Sequence, residues 1–293
     1  MFQGSLPALV TPMGADGSID FAAWDRLLDF HLASGTDGVV VGGTTGESPV
    51  LERSELEELV RRAKARVQGR IPVIAGSGTN GTAKSIALSR LAEAAGADAL
   101  LVVTPYYSKP TQEGLYRHFT AIADAVQVPV ILYNVPGRTA CDMQPDTVAR
   151  LSAHPRIVAV KEATGDVARG EAVLKLSRSG FVLLSGDDPT VLPLMRIGAR
   201  GVISVTANVA PRAMHELCAA ALAGRFEEAA GVDARLAGLH RAMFVESNPI
   251  PVKWAVQRLG LIGPGIRLPL TELSAGQHGA VEAAMRAAGI GLS

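Results

Sequence analysis

The sequence predicts an α/β fold, a (β/α)8 TIM barrel followed by a C-terminal helical extension, and three observations support this. Short apolar runs alternate with longer amphipathic stretches over most of the chain. The apolar runs are continuous rather than alternating, as in strands that are buried on both faces of a parallel sheet. The chain has 293 residues, enough for a barrel of roughly 250 residues with an appendage.

Eight candidate strands follow one another along the chain. They are Ser5–Val10, Gly38–Gly42, Pro72–Ala75, Ala99–Val103, Pro129–Tyr133, Ile157–Val160, Val182–Ser185 and Gly201–Val205. The helices predicted between them include Phe21–Ala33, Glu52–Val67, Ala83–Ala95 and Gln112–Ala125. Asp20 precedes the first helix, where a side chain of this type caps a helix N-terminus. Eight strands separated by helices favour a closed barrel over an open doubly wound sheet.

The last part of the chain shows a helical pattern only. Its predicted helices are Pro211–Ala223, Phe226–Val245, Ile250–Leu259 and Ala275–Ala288. We therefore predict two regions, a catalytic barrel over residues 1–224 and a helical extension over residues 225–293. We expect the extension to cover the barrel or an interface.

Composition argues against several classes of protein. Lys+Arg and Asp+Glu each total 28, so the chain lacks the basic surplus of a nucleic-acid binder. No apolar run approaches the roughly 18 residues of a membrane helix, and the N-terminus lacks the pattern of a signal peptide. We therefore expect a cytoplasmic protein with no nucleic-acid or membrane partner. Two distant cysteines, Cys141 and Cys218, and six scattered histidines give little support for a metal site.

Polar and aromatic residues follow the predicted strands, at the end of a barrel where catalytic groups lie. They include Thr11, Gly43–Glu47, Thr104–Tyr107, Tyr133-Asn134, Lys161-Glu162, Gly186-Asp187 and Ser204–Thr206. Three of the four tyrosines of the chain belong to this set. Packing alone does not predict such clustering.

Lys161 is the most informative of these residues, because it follows the apolar run Ile157–Val160. Desolvation lowers the pKa of a lysine and leaves a neutral amine that attacks carbonyl groups. Alternatively, the side chain extends to solvent or pairs with Glu162. The neighbouring tyrosines and threonines favour the first interpretation, a Schiff-base lysine.

Other strand-end residues suit the binding of an acid. The glycines around Thr44 and Thr45 allow tight turns whose amides can hold a carboxylate, and Arg138 is a fork-shaped cation suited to another. Each has a plain alternative, as ordinary loop chemistry or a solvated arginine. The segment Gly76–Gly81 matches a dinucleotide-binding pattern. The next strand, however, ends without the acid that such a site requires, so we predict no nicotinamide cofactor.

Several motifs together resemble the pyruvate-dependent class I aldolase/lyase family. They are Gly42–Ser48, Thr104–Tyr107 with Lys109-Pro110, Tyr133–Thr139, Val160–Glu162, Ser204–Asn208 and Glu246–Lys253. The likeness runs nearly end to end. It implies condensation of pyruvate with L-aspartate 4-semialdehyde, the first committed step of lysine biosynthesis through diaminopimelate, without metal or organic cofactor.

The resemblance also implies catalytic roles. Lys161 forms the Schiff base with pyruvate. Thr44, Tyr133 and Tyr107 form a proton relay, to which Tyr107 comes from the neighbouring subunit of a tight dimer. The implied assembly is a homotetramer of two such dimers.

Four further residues are implied in substrate binding. Thr45 holds the pyruvate carboxylate, and Arg138 receives the aspartate semialdehyde. Gly186 and Ile203 contribute backbone around the site. Two alternatives remain, a lyase for sugar acids on the same scaffold and a non-catalytic sensor. Arg138 and Tyr107 argue against the first, and the intact set of Lys161, Tyr133 and Thr44 argues against the second.

The resemblance finally bears on regulation by lysine, which inhibited members of the family bind at the tight-dimer interface. The corresponding residues here are Ser48, Pro49, Arg53, Leu56, Asn80, Lys84 and Tyr106. Inhibited members have histidines at the positions of Arg53 and Leu56, and a glutamate at that of Lys84. Because the two cations oppose the ammonium groups of lysine, we predict weak or absent feedback inhibition.

Overall fold

The structure, a computed structural model, describes residues 2–291. Its strands are β1 (Gly4–Pro7), β2 (Val39–Val41), β3 (Val73–Gly76), β4 (Ala99–Val103), β5 (Val130–Asn134), β6 (Ile157–Glu162), β7 (Val182–Ser185) and β8 (Gly201–Ser204). The helices of the barrel are α1 (Phe21–Ala33), α2 (Arg53–Val67), α3 (Thr82–Ala94), α4 (Gln112–Asp124), α5 (Pro136–Thr139), α6 (Pro145–Ser152), α7 (Val167–Leu176), α8 (Val191–Arg196) and α9 (Pro211–Leu222). Three more helices follow, α10 (Phe226–Ala242), α11 (Ile250–Arg258) and α12 (Ala275–Ala287).

The eight strands form one parallel sheet that closes on itself. Neighbouring strands pair in the order β1-β8-β7-β6-β5-β4-β3-β2, and a parallel bridge between Ala8 and Val40 joins the two ends. Each of the eight predicted strands is present within two or three residues of its expected bounds. The predicted (β/α)8 barrel with C-terminal helices is confirmed.

The sixth strand continues further than its apolar run. Lys161 pairs with Tyr133 of β5 and Leu184 of β7, and Glu162 pairs with Asn134 and Ser185. The run Ile157–Val160 is therefore only part of β6, because backbone pairing with both neighbours continues through the charged residues. Side chains alternate along a strand, so Lys161 and Glu162 point to opposite faces of the barrel wall.

Two apolar layers surround the strands. One fills the barrel interior with side chains such as Leu6, Val40, Ile74 and Ile203. The other packs the outer faces of the strands against the helices and includes Trp24 and Phe119. Burial of such side chains contributes roughly 1.5–3 kcal/mol each, so the two layers fix the strand ends that carry the polar residues.

Local signals set the helix boundaries. The carboxylate of Asp20 accepts a hydrogen bond from the Ala23 amide at 2.9 Å, as expected for the cap of α1. The one-turn helix α5, which carries Arg138, was not predicted, because four residues are too few to show a helical period.

The three last helices lie beyond the barrel, and the segments between them reach its mouth. Phe244 and Asn248 follow α10 and line the mouth, and Arg267, between α11 and α12, contacts Glu47 near the end of β2. The exact boundary at residues 224 and 225 stays a prediction. Among residues 2–291, no helix has the length and apolar character to cross a membrane.

Candidate active site

A cavity of about 130 Å³ lies at the carboxyl end of the strands. Six of the eight residues predicted for the site line it, namely Thr44, Thr45, Tyr133, Arg138, Lys161 and Gly186. They come from the ends of four strands, β2, β5, β6 and β7, which the closed barrel brings to one place. Most of the residues predicted for the site therefore line one cavity at the barrel mouth.

Lys161 lies at the base of this cavity with 5% of its surface exposed. Its Nζ is 4.1 Å from the centroid of the Tyr133 ring. Gly186 leaves room for the lysine stem, since a Cβ there would lie 3.0 Å from Lys161 Cγ and 2.6 Å from Ala163 Cβ. The amine is thus enclosed by barrel side chains and placed beside a phenol.

The turn that carries Thr44 and Thr45 uses three of its own amides. Those of Gly46 and Ser48 donate to Gly43 O at 3.0 and 3.2 Å, and that of Glu47 donates to Thr44 O at 3.0 Å. Within residues 2–291 the amides of Thr44 and Thr45 have no hydrogen-bond acceptor. Two adjacent free amides in a buried turn suit a carboxylate.

The extension supplies a polar contact to this turn. Asn248 Nδ2 donates to Thr45 Oγ1 at 3.1 Å, which leaves the threonine hydroxyl proton free to bond an anion. Arg138 Nη2 donates to the Asn248 carbonyl oxygen at 3.3 Å, so the exposed guanidinium sits at the rim. One donor group faces the interior of the cavity and one cation faces its entrance.

Asp187 places a carboxyl group in the same cavity. Burial is the main cause that raises the pKa of this carboxyl, and the neighbouring Asp188 raises it further, whereas Lys161 acts in the opposite direction. The strand-end pattern included Asp187, but gave it no role. The carboxyl adds a proton acceptor near the lysine.

Two predicted residues do not line the cavity in this single chain. Tyr107, after β4, has 90% of its surface exposed and a φ of 72°. Ile203 lies within β8, paired with Leu6 in the barrel interior, and Val205 instead reaches the cavity from this side. Tyr107 therefore completes a site only if it meets one on another chain.

The glycine-rich segment after β3 serves close packing. A Cβ on Gly76 would lie 2.2 Å from Gly42 O, and one on Gly78 would lie 2.3 Å from Val103 N. Such distances are too short for any side chain, so these glycines let neighbouring strand ends approach each other. The sequence analysis likewise interpreted these glycines as part of a loop rather than as a dinucleotide site.

Sequence reasoning missed Phe244 and Asn248 as lining residues. Both lie in the segment that connects α10 with α11, about 200 positions from the turn that Asn248 contacts. The segment had been noted only for its likeness to a family motif. No local pattern predicts a contact across such a separation.

A lysine enclosed at the end of a barrel strand, with a phenol and a turn of two free amides in the same cavity, is typical of the class of Schiff-base-forming barrel enzymes. Within that class the chain belongs to the dihydrodipicolinate synthetase family, whose family model matches residues 1–288.

Relatives match over the whole chain. The 4-hydroxy-tetrahydrodipicolinate synthase of Stutzerimonas stutzeri (strain A1501) is 58% identical over 290 residues, 99% of each chain. The chloride-inhibited dihydrodipicolinate synthase of Acinetobacter baumannii, solved in complex with pyruvate, is 49% identical with a TM-score of 0.97, over 99% of this chain and 100% of that one. A structure described as the first monomeric dihydrodipicolinate synthase variant is 43% identical, also with a TM-score of 0.97, over 99% of this chain and 97% of that one.

Proposed function

We propose that this chain condenses pyruvate with L-aspartate 4-semialdehyde through a Schiff base on Lys161, the first committed step of lysine biosynthesis through diaminopimelate. The observation that carries the assignment of the nucleophile is the enclosed position of Lys161 beside Tyr133. Family membership and full-length relatives that are synthases of this kind support the reaction.

Pyruvate binding begins at the turn between β2 and α2. The hydroxyl of Thr45 and the amides of Thr44 and Thr45 receive the pyruvate carboxylate, which leaves the keto carbon facing the Lys161 amine. The amine adds to this carbon, and loss of water gives the Schiff base. Loss of a methyl proton then gives the enamine that attacks the aldehyde.

These steps require protons to move in and out of an enclosed site. Thr44 and Tyr133 line the cavity, and we assign them to a relay with Tyr107 of a neighbouring subunit. A phenol has a reference pKa near 10, so a hydrogen-bonded chain helps it to exchange protons. Arg138 binds the carboxylate of the semialdehyde at the rim. The amino group of that substrate finally attacks the Schiff-base carbon, and the Lys161 amine leaves.

The proposed assembly is a homotetramer of two tight dimers. The exposure of Tyr107 supports a partner surface at the loop after β4, because large exposed aromatic side chains commonly mark interaction sites. The monomeric variant among the relatives makes the assembly of this chain a question for measurement. The cytoplasmic location expected from the sequence stays a prediction.

Reduction with borohydride in the presence of pyruvate tests the proposed nucleophile. We expect one covalent adduct per chain, on Lys161, because reduction fixes the Schiff base as a stable secondary amine. Intact mass gives the number of adducts, and peptide mapping identifies which of the six lysines carries it.

The matched control is Lys175→Ala, which removes an exposed lysine on α7 and should leave trapping unchanged. Lys161→Ala should abolish both trapping and synthase activity. An undiminished adduct in Lys161→Ala, or trapping at another lysine of the unaltered chain, would overturn the proposal.

A further inference from the structure

A buried ion pair joins the substrate turn to the extension. Glu47, three residues after Thr44, is 1% exposed, and Lys253 on α11 is 4% exposed. Lys253 Nζ donates to Glu47 Oε1 across 206 residues of sequence. Burial is the main cause that lowers the pKa of Lys253, and the Glu47 carboxylate opposes this effect. Lys253 therefore depends on the Glu47 carboxylate to keep its charge when buried.

The second oxygen of the same carboxylate is also bound by the extension. Glu47 Oε2 accepts from the Arg267 amide at 3.0 Å. The Arg267 guanidinium in turn donates to Val50 O and to Glu55 Oε2, both at 2.7 Å. Arg267 thus lies next to the pair and links it to Glu55 and to the backbone that follows the turn.

The backbone of the turn requires such support. Glu47 has a φ of 61°, in the left-handed region that residues other than glycine seldom adopt. Thr11 Oγ1 donates to the neighbouring Gly46 O at 2.8 Å, and Asn248 holds the Thr45 hydroxyl. Bonds from the segment after β1 and from the extension therefore fix both side chains and backbone of one short segment.

We propose that Glu47 and Lys253 are positioning residues for pyruvate. Their ion pair holds the turn 43–48 so that the Thr45 hydroxyl and the amides of Thr44 and Thr45 point at the substrate carboxylate. The inference rests on the proposed function, since it names what the turn binds. A buried ion pair often adds little net stability, so the contacts of this pair with the turn point to a role in placing a binding loop.

The test compares Glu47→Gln, Lys253→Met and the double variant carrying both substitutions. Each single variant leaves one buried charge unpaired and will lose stability for that reason alone. The double variant leaves no lone charge, so its thermal stability should return toward that of the unaltered protein. Its KM for pyruvate should stay raised by about tenfold, which is the cost of one poorly placed interaction.

The expected signature in the double variant is a split between kinetic parameters. The KM for pyruvate and the pyruvate concentration that gives half-maximal borohydride trapping should rise together. The KM for the semialdehyde should change by less than about threefold, because Arg138 lies on α5, outside the turn. Arg225→Met, which breaks an exposed ion pair of the extension with Glu228, is the matched control and should change none of these values.

Hydrogen exchange separates this proposal from the proposed function. The amides of residues 43–48 should exchange faster in the double variant, whatever reaction the protein catalyses. A stable double variant with unchanged exchange in this segment, or with a pyruvate KM within twofold of the unaltered value, would overturn the positioning role. Failure of the unaltered protein to trap pyruvate would instead count against the proposed function alone.

Discussion

The two sides of the cavity mouth differ in how the chain holds them. On one side, Thr45 and Glu47 of the turn 43–48 are exposed by only 2% and 1%, and the extension contacts the turn through Asn248, Lys253 and Arg267. On the other side, the loop after β4 leaves Tyr107 exposed by 90%. One chain thus completes the side that we propose to bind pyruvate and leaves the opposite side open.

The difference teaches where a second chain is needed. Tyr107 and Lys109 adopt left-handed φ angles of 72° and 45°, like Glu47, but their side chains are exposed rather than bound within the chain. A phenol in solvent cannot serve a relay inside the cavity of its own chain. The open side therefore has the features expected of a surface that a partner covers.

The largest expected effect comes from placing one substitution on each of two chains, one in the buried cavity and one on the open side. Tyr107→Phe and Lys161→Ala should each be nearly inactive alone. Mixed and allowed to exchange subunits, they should recover activity, because a hybrid dimer contains one site with Lys161 from one chain and Tyr107 from the other. With random pairing of equal amounts, roughly a quarter of all sites are intact. Activity of the mixture relative to the separate variants measures this.

Two controls make the result decisive. A mixture of Lys161→Ala with Lys161→Ala/Tyr107→Phe should recover nothing, since no hybrid then has a nucleophile. Sedimentation should show the dimer or tetramer under the assay conditions. A fully active monomer, or no recovery despite proven subunit exchange, contradicts the idea that the partner completes the open side.

The contrast between the buried side and the open side also explains which features of the molecule could be predicted from the sequence. The strands could be predicted because each is a local apolar run, and Lys161 stood out as a charge at the end of one. The buried side could not be predicted, because Glu47 and Lys253 meet only after the barrel closes and the extension folds over it. Glutamate and lysine are residue types that mostly lie on protein surfaces, so neither residue, taken alone, predicts burial.

The sequence predicted the exposure of Tyr107 but not its left-handed backbone conformation. The pair Tyr106-Tyr107 after a strand suggested a partner surface, and the structure leaves Tyr107 open to solvent. For Ile203, by contrast, no pattern of side chains predicted a place at the site. Its implied place at the site came from resemblance alone, and its side chain packs in the barrel interior. A contribution from the backbone does not depend on the type of side chain. A sequence pattern therefore gives little indication of which backbone groups reach the site.

A smaller effect should distinguish two buried carboxyl groups next to the site. Glu47 has Lys253 as its partner, whereas Glu162, behind Lys161 on β6, accepts from Asn134 Nδ2 at 3.2 Å and from the Thr164 amide at 2.9 Å. Burial is the main cause that raises the pKa of Glu162, although these hydrogen bonds oppose it. Glu47 therefore contributes to the buried side through an ion pair, whereas the burial of Glu162 carries an electrostatic cost.

The sign of the pH effect follows from this pKa. A carboxyl group whose pKa is higher in the folded state contributes stability below its unfolded pKa, and that contribution is lost as pH rises through the folded pKa. Glu162→Gln removes the titration, so the variant should gain stability relative to the unaltered protein as pH rises from 5 to 8. The expected gain is about 1 kcal/mol, the usual scale of a single substitution. Urea unfolding across this range measures it.

The matched control for that experiment is Asp142→Asn. The hydrogen bond from Arg169 is the main cause that lowers the pKa of Asp142, so the stability contributed by this carboxylate is lost only as pH falls through its folded pKa. Between pH 5 and 8 the Asn variant should therefore be less stable by a constant amount. A pH-independent difference for Glu162→Gln as well would show that its burial carries no electrostatic cost.

The smallest expected effect lies between the two sides, in a second cavity of about 520 Å³. Six of the seven positions that correspond to lysine-binding residues in inhibited family members line it, namely Ser48, Pro49, Arg53, Leu56, Lys84 and Tyr106. L-Lysine brings two ammonium groups, which need acceptors. Arg53 and Lys84 instead present like charge, and Leu56, 5% exposed, offers an apolar surface.

We therefore expect L-lysine to inhibit weakly or not at all when titrated into the synthase assay at saturating substrates. Half-inhibition below roughly 1 mM corresponds to more than about 4 kcal/mol of binding and would contradict this expectation. Lys84→Glu should sharpen the test, since it replaces a repelling cation with an acceptor and should raise sensitivity severalfold. Lys175→Ala, an exposed charge change on α7, should leave the titration unaltered. If Lys84→Glu also fails to respond, the like charge of Arg53 and the apolar Leu56 suffice to exclude the ligand, and the open side then binds a partner chain without binding lysine.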